Sequence, residues 1–582
     1  MKEVENVSRM KWIVPGVSHQ IMAAGARAVR LVWLSSCAGF SSYLMSCAVM
    51  FVSKNGCCMP RFLPHVALLC LLAIFENQCA AQHDPQRNAT RFVAAGQFDK
   101  VGKELAKADD DEPETHFVRM LSSLRQGQVK AAVGHAKTAL DKGLLFERLI
   151  AGPQDVLSPL YASDEFANWK QQHKTGALIH GPMVGSVTDS GASFWIRTAK
   201  ESEFVVRVYP VNATIPIAIS KLATTTIASD LTGVAVVEGL KPGIRYRYAI
   251  EIDSTLHIMN KPTFRTSPKK HLAAEFSVGF GGGAGYVPEW EYMWDTIGKA
   301  DPHAFLMLGD NVYIDDPEHD LTMRYCYYRR QSRPEWRNFV SSRSIYSIYD
   351  DHDFGTNDCV PGPDIDKPAW KRPVWNIFRQ NWVNPAYGGG EKQPGCWYDF
   401  YIGDVHFIML DGRYYRSRKP EPSMLGPVQK QWLKETLKNS QGTFKVLASP
   451  VPFTEKIKPG SKDPWDGFAN EREEIFSYIE NQKINGVFLV AADRHRTDLR
   501  ITSRANGYDL YEFESSKLTN RHTHPVVKTP GLIWGHSKTC SYALMKFNTK
   551  AEDPTVRFEA ITIDGEVLHT HDLKLSTVTR SE

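Results

Sequence analysis

Cysteine is scarce in most of this chain. The 582 residues include 10 cysteines, and six of them (Cys37, Cys47, Cys57, Cys58, Cys70 and Cys79) precede residue 82. The remaining four, Cys326, Cys359, Cys396 and Cys540, form no CxxC pair, which argues against a structural zinc knuckle. An excess of one charge is also missing: 69 Lys and Arg stand against 65 Asp and Glu, a net +4. Over this length that gives no basic face for nucleic acid, so no sequence-specific nucleic-acid binding is expected. The glycine run Gly281-Gly-Gly-Ala-Gly285 has no Lys-Ser/Thr behind it and is therefore not a nucleotide P-loop; a flexible rim to a site is the expectation. Nor is the composition that of a disordered chain, with 42% apolar, 23% charged and 11% aromatic residues. One hydrophobic core does not serve this length, and roughly three to four structural units are expected.

Long uncharged runs are confined to the beginning. One spans 31–53 and is long enough to cross a membrane. The other, Phe62 to Phe75, follows Met59-Pro-Arg61 and precedes Glu76 and Cys79-Ala-Ala-Gln82. A short basic start, an apolar centre and a small-residue cleavage site make 59–81 read as a secretory signal within a dispensable leader, 1–81. The expected location is secreted or periplasmic, with a membrane anchor through 31–53 as the alternative. An oxidising compartment permits disulfides, and Cys359 with Cys396, both in polar Pro/Gly-rich surroundings, is the expected pair.

Residues 83–170 read as a helical prefix. Phe92–Leu105, Glu114–Leu124 and Val129–Leu140 carry apolar residues at three-to-four spacing. Gly96-Gln-Phe98 recurs loosely as Gly127-Gln-Val129, in the manner of a tetratricopeptide-like repeat, and such a prefix could dock a protein partner or simply pack on the next domain. Residues 176–268 alternate in short β-like runs, among them Gly191–Arg197, Glu203–Tyr209, Thr224–Glu238 and the Ile244, Tyr246, Tyr248 series, which suggests a small β-sandwich. From 271 to 575 apolar strands alternate with helices. The strands are Phe276–Phe280, Ala304–Leu308, Val405–Leu410, Phe444–Ala448 and Gly486–Ala491, the helices Val428–Leu437 and Glu471–Glu480, with terminal strands at Tyr542–Phe547, Val556–Ile563 and Val567–Leu573.

Acids and histidines gather where these strands end. The run Phe305-Leu-Met-Leu308 leads into Gly309-Asp-Asn-Val-Tyr313, and Val487-Phe-Leu-Val-Ala-Ala492 leads into Asp493-Arg-His495. Between them lies Asp350-Asp-His-Asp353, flanked by Gly355 and Asn357, a row of ionisable groups that is costly unless a cation or base holds it together. Carboxylates, an imidazole and a phenolate suit hard divalent or trivalent ions, and Asp310 can bridge two of them. Such a pair polarises a phosphoryl group and makes hydroxide available as a nucleophile.

Several blocks together resemble the alkaline phosphatase D family of the calcineurin-like metallophosphoesterases. They are Leu308-Gly-Asp-Asn-Val-Tyr-Ile314, Asp350-Asp-His-Asp353, Leu410-Asp-Gly-Arg-Tyr-Tyr-Arg416, Gln431-Trp-Leu433, Trp465-Asp-Gly-Phe468 with Glu471-Arg472, and Asp493-Arg-His495. The resemblance covers roughly 176–575. It implies an α/β catalytic domain, a four-layer α/β/β/α sandwich, preceded by a small β-sandwich. It also implies secreted hydrolysis of phosphate monoesters or diesters with two or more metal ions, iron and calcium by family habit, manganese or zinc otherwise. By the same resemblance Asp310, Tyr313, Asp351, Asp493 and His495 are the metal ligands and His352 the general acid or transition-state donor, with Asn357 assisting. Arg413 either orients phosphate or is a buried structural arginine. One departure stands out: the family has a Ser-Cys pair after the first strand of this domain, and the cysteine binds iron, whereas this chain has Gly281–Gly285 there. The leading expectation is an alkaline-phosphatase-type phosphomonoesterase. The alternatives are a diesterase on nucleotide, polymer or lipid phosphodiesters, and a degenerate, non-catalytic binding protein.

Overall fold

A computed structural model describes residues 84–257 and 262–580. The apolar run 31–53 and the signal pattern at 59–81 lie outside these residues. Among the described residues no helix is long and apolar enough to cross a membrane.

The prefix is seven helices, from Pro85–Ala94 to Asp164–His173. The first opens with Pro85 in its first turn and with Asp84 as N-cap, whose carboxylate accepts the Arg87 backbone N–H. The single helix expected over Phe92–Leu105 is two, ending at Ala94 and restarting at Phe98, because Gly96 turns the chain with φ +69°. Gly127 makes the same turn at φ +72° before the helix Val129–Asp141, so the loose repeat marks two equivalent corners. Inside the prefix Arg148 donates to Glu114 at 2.9 Å, both side chains buried, with its guanidinium 3.7 Å from the centre of the Phe117 ring.

The next strands form two layers around a core of Phe194, Ile196, Phe204, Val206, Val208, Tyr246, Tyr248 and Ile250. Ile244, expected in that inward series, is exposed, because the strand begins only at Arg245. One layer pairs Ser202–Pro210 with Arg245–Ile252. The other, Leu178–Gly185, Gly191–Thr198 and Thr232–Glu238, does not end with this unit. Leu178–Gly185 pairs in parallel with Ser344–Ile348, so these strands complete one nine-stranded sheet. Alternate side chains of Gly191–Thr198 serve two cores: Phe194 and Ile196 face the small one, and Trp195 faces the large one.

The nine-stranded sheet runs from Val567–Lys574 through Thr555–Thr562, Ser541–Asn548, Glu275–Gly281, Ala304–Leu308 and Ser344–Ile348 into the N-terminal strands. Against it packs a seven-stranded sheet containing Val405–Met409, Phe444–Ala448, Val487–Ala491 and Leu510–Ser515. The period of two decides which side chain joins which layer. Phe407, Phe444, Val446, Phe488 and Val490 point between the sheets and meet Phe547 and Phe558; Ile408, Leu447 and Leu489 point outward to Leu433, Leu437, Ile475 and Phe476. Those last residues lie on the outer helices Gly426–Lys438 and Ala469–Asn481. On the opposite side Trp294, Trp336 and Phe339 bring the helices Met293–Lys299 and Pro334–Val340 onto Phe305. The result is an α/β/β/α sandwich.

Cys326, Cys359, Cys396 and Cys540 are all free thiols, so the expected Cys359–Cys396 bridge is not formed. Cys396 is buried beside Asp411, and Cys359 packs under Gly355.

Candidate active site

Three strand ends meet. Ala304–Leu308 and Ser344–Ile348 of one sheet deliver Asp310 and Asp350–Asp353; Val487–Ala491 of the other delivers Asp493 and His495. Carboxyl ends of parallel strands are where such sheets hold ligands. The loops are strained in a way that marks the site: Asp310, Tyr313, Asp493 and His495, four of the five predicted metal ligands, all have φ between +49° and +71°. Non-glycine residues pay about 1–3 kcal/mol for such backbone and concentrate at functional positions. Gly309, at φ +103°, cannot be replaced without collision, since a Cβ there would lie 2.5 Å from that of Asp350.

The cluster is acidic and buried. Ligand atoms of Asp310, Asp351 and His352 lie within 4.8 Å of one another, as do those of Asp350, Asp351 and Asp493. His495 Nε2 is 2.9 Å from the Tyr313 hydroxyl and 4.0 Å from Asp310 Oδ2. Asp310 is 1% exposed, yet neither of its carboxylate oxygens accepts a hydrogen bond; Asp350 Oδ2 and Asp351 Oδ1 are similarly bare. Buried carboxylates without partners are costly, and this donor set of carboxylates, imidazole and phenol fits hard and borderline metal ions. Burial, reinforced by Asp351, Asp350 and Asp353, pushes the Asp310 carboxyl well above its ordinary range, which is the electrostatic signature of a place for a cation. Burial and the neighbouring His522 and His524 push the His495 imidazole well below its usual value, leaving it in the neutral, ligating form.

His352 differs. Burial works against its charge, but Asp315, Asp351 and Asp310 outweigh burial and hold the imidazole pKa well above normal. Its Nδ1 lies 2.5 Å from Asp315 Oδ1, and its ring stacks on Tyr313 with centroids 4.7 Å apart. Its backbone carbonyl accepts from the N–H groups of Ile314 and Asp315, which locks the loop that carries Tyr313. Asp353 does similar work from the other side, accepting from the N–H groups of Asn311 and Val312 at 2.8 and 3.0 Å.

Arg413 is fully buried, with its guanidinium facing carboxylates of this chain. It bonds Asp350 through Nε and Asp463 at 2.7 and 3.3 Å, and lies 3.5 Å from Asp351. Of its two expected roles, this geometry is that of the buried structural arginine. Asn357 is exposed on the turn after the Asp351–Phe354 helix and is not brought into the cluster. The glycine run is not a flexible rim. Gly281 to Ala284 are buried, and the N–H groups of Gly282, Gly283 and Ala284 are taken up by the carbonyls of Ser515, Gly309 and Asp310. The Asn520 side chain packs against Gly285, and His522 and His524 sit 4.9 and 5.7 Å from the His495 ring. Sequence reading missed Asp315, Asp463, Asn520, His522 and His524. Only the doubled acid Asp315-Asp316 gave any signal; Asn520–His524 lie in an irregular loop between strands, with no periodicity to place them.

Residues 278–561 match the family described as PhoD-like phosphatase, and 175–270 match a domain of unknown function, DUF7800. Residues 278–561 carry a PhoD-like phosphatase domain. A curated relative, alkaline phosphatase D of Bacillus subtilis (strain 168), is 31% identical over 110 residues, 15% of this chain and 19% of that protein, so the match spans only about a fifth of the relative. A solved structure of PhoD superposes with a TM-score of 0.51 at 16% identity, over 69% of this chain and 92% of that one. The purple acid phosphatase PPD1 from yellow lupin (Lupinus luteus) seeds gives 0.51 at 11% identity, over 68% and 75%. These likenesses are of fold: the chain shares the α/β/β/α sandwich of those two phosphatases.

Proposed function

We propose that this chain is an exported, metal-dependent phosphoric ester hydrolase acting on phosphomonoesters. The observation that carries the reading is Asp310, a buried carboxylate without a hydrogen bond at the meeting point of three strand ends, with ligand atoms of Asp351 and His352 within 4.8 Å. Asp310, Tyr313, Asp351, Asp493 and His495 would hold the ions, with Asp350 at the edge of the same cluster. Bound there, a pair of ions supplies charge neutralisation of the phosphoryl oxygens and water made acidic at neutral pH. The remaining work belongs to side chains. His495, neutral, donates a lone pair; the Tyr313 phenol, held up by burial, ionises only against a cation. Asp315, Asp351 and Asp310 favour the protonated form of His352, and with Nδ1 engaged by Asp315 its Nε2 is the atom left to pass a proton to the leaving-group oxygen. The signal pattern at 59–81 supports export. Iron and calcium follow the family, with manganese or zinc as substitutes in a site lacking the family cysteine.

The test is metal analysis of the purified protein beside hydrolysis of a chromogenic phosphomonoester and the matching diester, with and without chelator. About two metals per chain and chelator-sensitive turnover, faster on the monoester, are expected. Faster turnover of the diester would shift the substrate class. Absence of both metal and turnover after reloading with iron, calcium, manganese and zinc would leave a binding protein.

A further inference from the structure

We infer that Arg87, in the first helix of the prefix, is a positioning residue for His352 acting through Asp315, which makes the helical prefix part of the catalytic apparatus. The inference rests on the proposed hydrolysis.

The two oxygens of Asp315 are divided between two partners. Oδ1 meets His352 Nδ1 at 2.5 Å, and Oδ2 pairs with Arg87 Nη1. The same nitrogen donates to the Tyr313 carbonyl at 3.3 Å, so Arg87 also grips the loop carrying a predicted metal ligand. Arg87 is itself aimed. Its Nε and Nη2 donate to Asn88 Oδ1 at 3.1 and 2.8 Å, and Asn88 Nδ2 donates to Glu104 on the next helix at 3.0 Å. The helix is pinned at its start, where Asp84 caps it and accepts from Arg329 Nη1 of the catalytic domain at 3.1 Å. Arg87 is 7% exposed, so solvent does little to screen the pairing. A guanidinium, a carboxylate and an imidazole thus stand in line, reaching from the prefix to the site.

A carboxylate with one partner turns about its Cβ–Cγ bond; one clamped at both oxygens does not. The clamp fixes the plane of Asp315, hence the Nδ1 hydrogen bond, hence the direction in which His352 Nε2 points. Proton transfer is sensitive to this direction, and a misplacement of about 1 Å costs on the order of 100-fold. No group in this line is a metal ligand in the reading above. Loss of Arg87 is therefore expected to slow turnover with little change in KM, and by more than any loss of metal through the Tyr313 loop accounts for.

The variant of choice is Arg87→Met in the full chain, which keeps the packed stem and removes the fork. Wild type, Arg87→Met, His352→Ala and the double variant are assayed on p-nitrophenyl phosphate and on phenyl phosphate, whose leaving oxygen is more basic. Arg87→Met should lower kcat by about 10- to 100-fold, and more on phenyl phosphate, where the proton matters most. In the His352→Ala background it should change kcat less than twofold. Arg87→Lys should recover part of the loss. Arg119→Ala, which breaks a surface pair with Asp110 in the same prefix, should leave kcat as it is. Unchanged kcat in Arg87→Met overturns the inference, as does a loss equal on both substrates and additive with His352→Ala, since that is general damage. If Arg87→Met does not fold, the cycle is run with Arg87→Lys under the same criteria. A wild type without turnover overturns the proposed function and this inference with it; turnover in the wild type with no effect of Arg87 overturns the inference alone.

Discussion

Arg413 offers the sharpest test of the physical argument, because its two expected roles predict opposite measurements. As a phosphate-orienting group, its removal would raise KM and leave the fold intact. The structure gives a different expectation. Arg413 has no exposed surface and serves Asp350, Asp463 and, at 3.5 Å, Asp351. Asp463 would survive the loss, because Arg416 also pairs with it and Lys458 lies 3.9 Å away. Asp350 would not: among the described residues Arg413 is its one cationic side-chain partner, and its Oδ2 accepts no hydrogen bond. Removing one partner of a buried pair costs about 3–5 kcal/mol, a large share of the roughly 5–15 kcal/mol that holds a domain together. Arg413→Met should therefore lower stability in urea by about 3–5 kcal/mol. The control Lys546→Ala, which breaks a half-exposed pair with Glu559, should cost about 0–1 kcal/mol. The assay is equilibrium unfolding followed by tryptophan fluorescence, with KM measured on whatever folds. A variant as stable as wild type but with a raised KM would refute the reasoning and restore Arg413 to the substrate.

Asp310→Asn should abolish metal retention and turnover together; elemental analysis checks the first, and retained metal with normal turnover would remove Asp310 from the bridging position. His352→Ala should depress kcat far more than metal affinity, and an equal loss of both would make it a ligand. The docking of the prefix should fail in acid. Burial disfavours the Asp84 charge, but Arg329 and Arg87 outweigh it and hold the carboxyl below its ordinary range. A carboxyl lowered on folding stabilises above its unfolded pKa of about 4 and loses that contribution as pH falls through the folded value. The Tm gap between wild type and Asp84→Asn should thus be present at pH 7, begin to shrink below about pH 4 and vanish only below the lowered folded pKa; a gap independent of pH would contradict the assignment.

Much of the layered fold was legible because it follows a period of two. The strands at Ala304–Leu308 and Phe444–Ala448 lie where the apolar runs put them, and the outer helices extend the expected ones by one to two residues at each end. What periodicity could not carry was the partner of each strand. Nothing in Leu178–Gly185 announces that it pairs with Ser344–Ile348, more than 150 residues later. The site divides in the same way. Asp310, Asp351, His352, Asp493 and His495 stand directly after strands and form one cluster, whereas Asp315 takes its meaning from Arg87, which lies 228 residues away in sequence. Asn357, to which the resemblance gives an assisting role, is carried outward by the turn after the short helix.

The shared nine-stranded sheet bears on how this protein can be divided. A fragment beginning near residue 271 would lose Leu178–Gly185 and uncover Ser344–Ile348, a strand with every residue buried, at Ile345, where the two strands pair. The backbone freed at Ile345 and the apolar side chains around it would offer a place for another chain to add itself, while Asn384 and Tyr398 keep the Ser347 backbone covered. Self-association would begin at the strand that leads directly into Asp350–Asp353. The N-terminal strands therefore act as a guard as well as a neighbour, and an insoluble catalytic fragment would report a missing edge strand before it reported anything about chemistry.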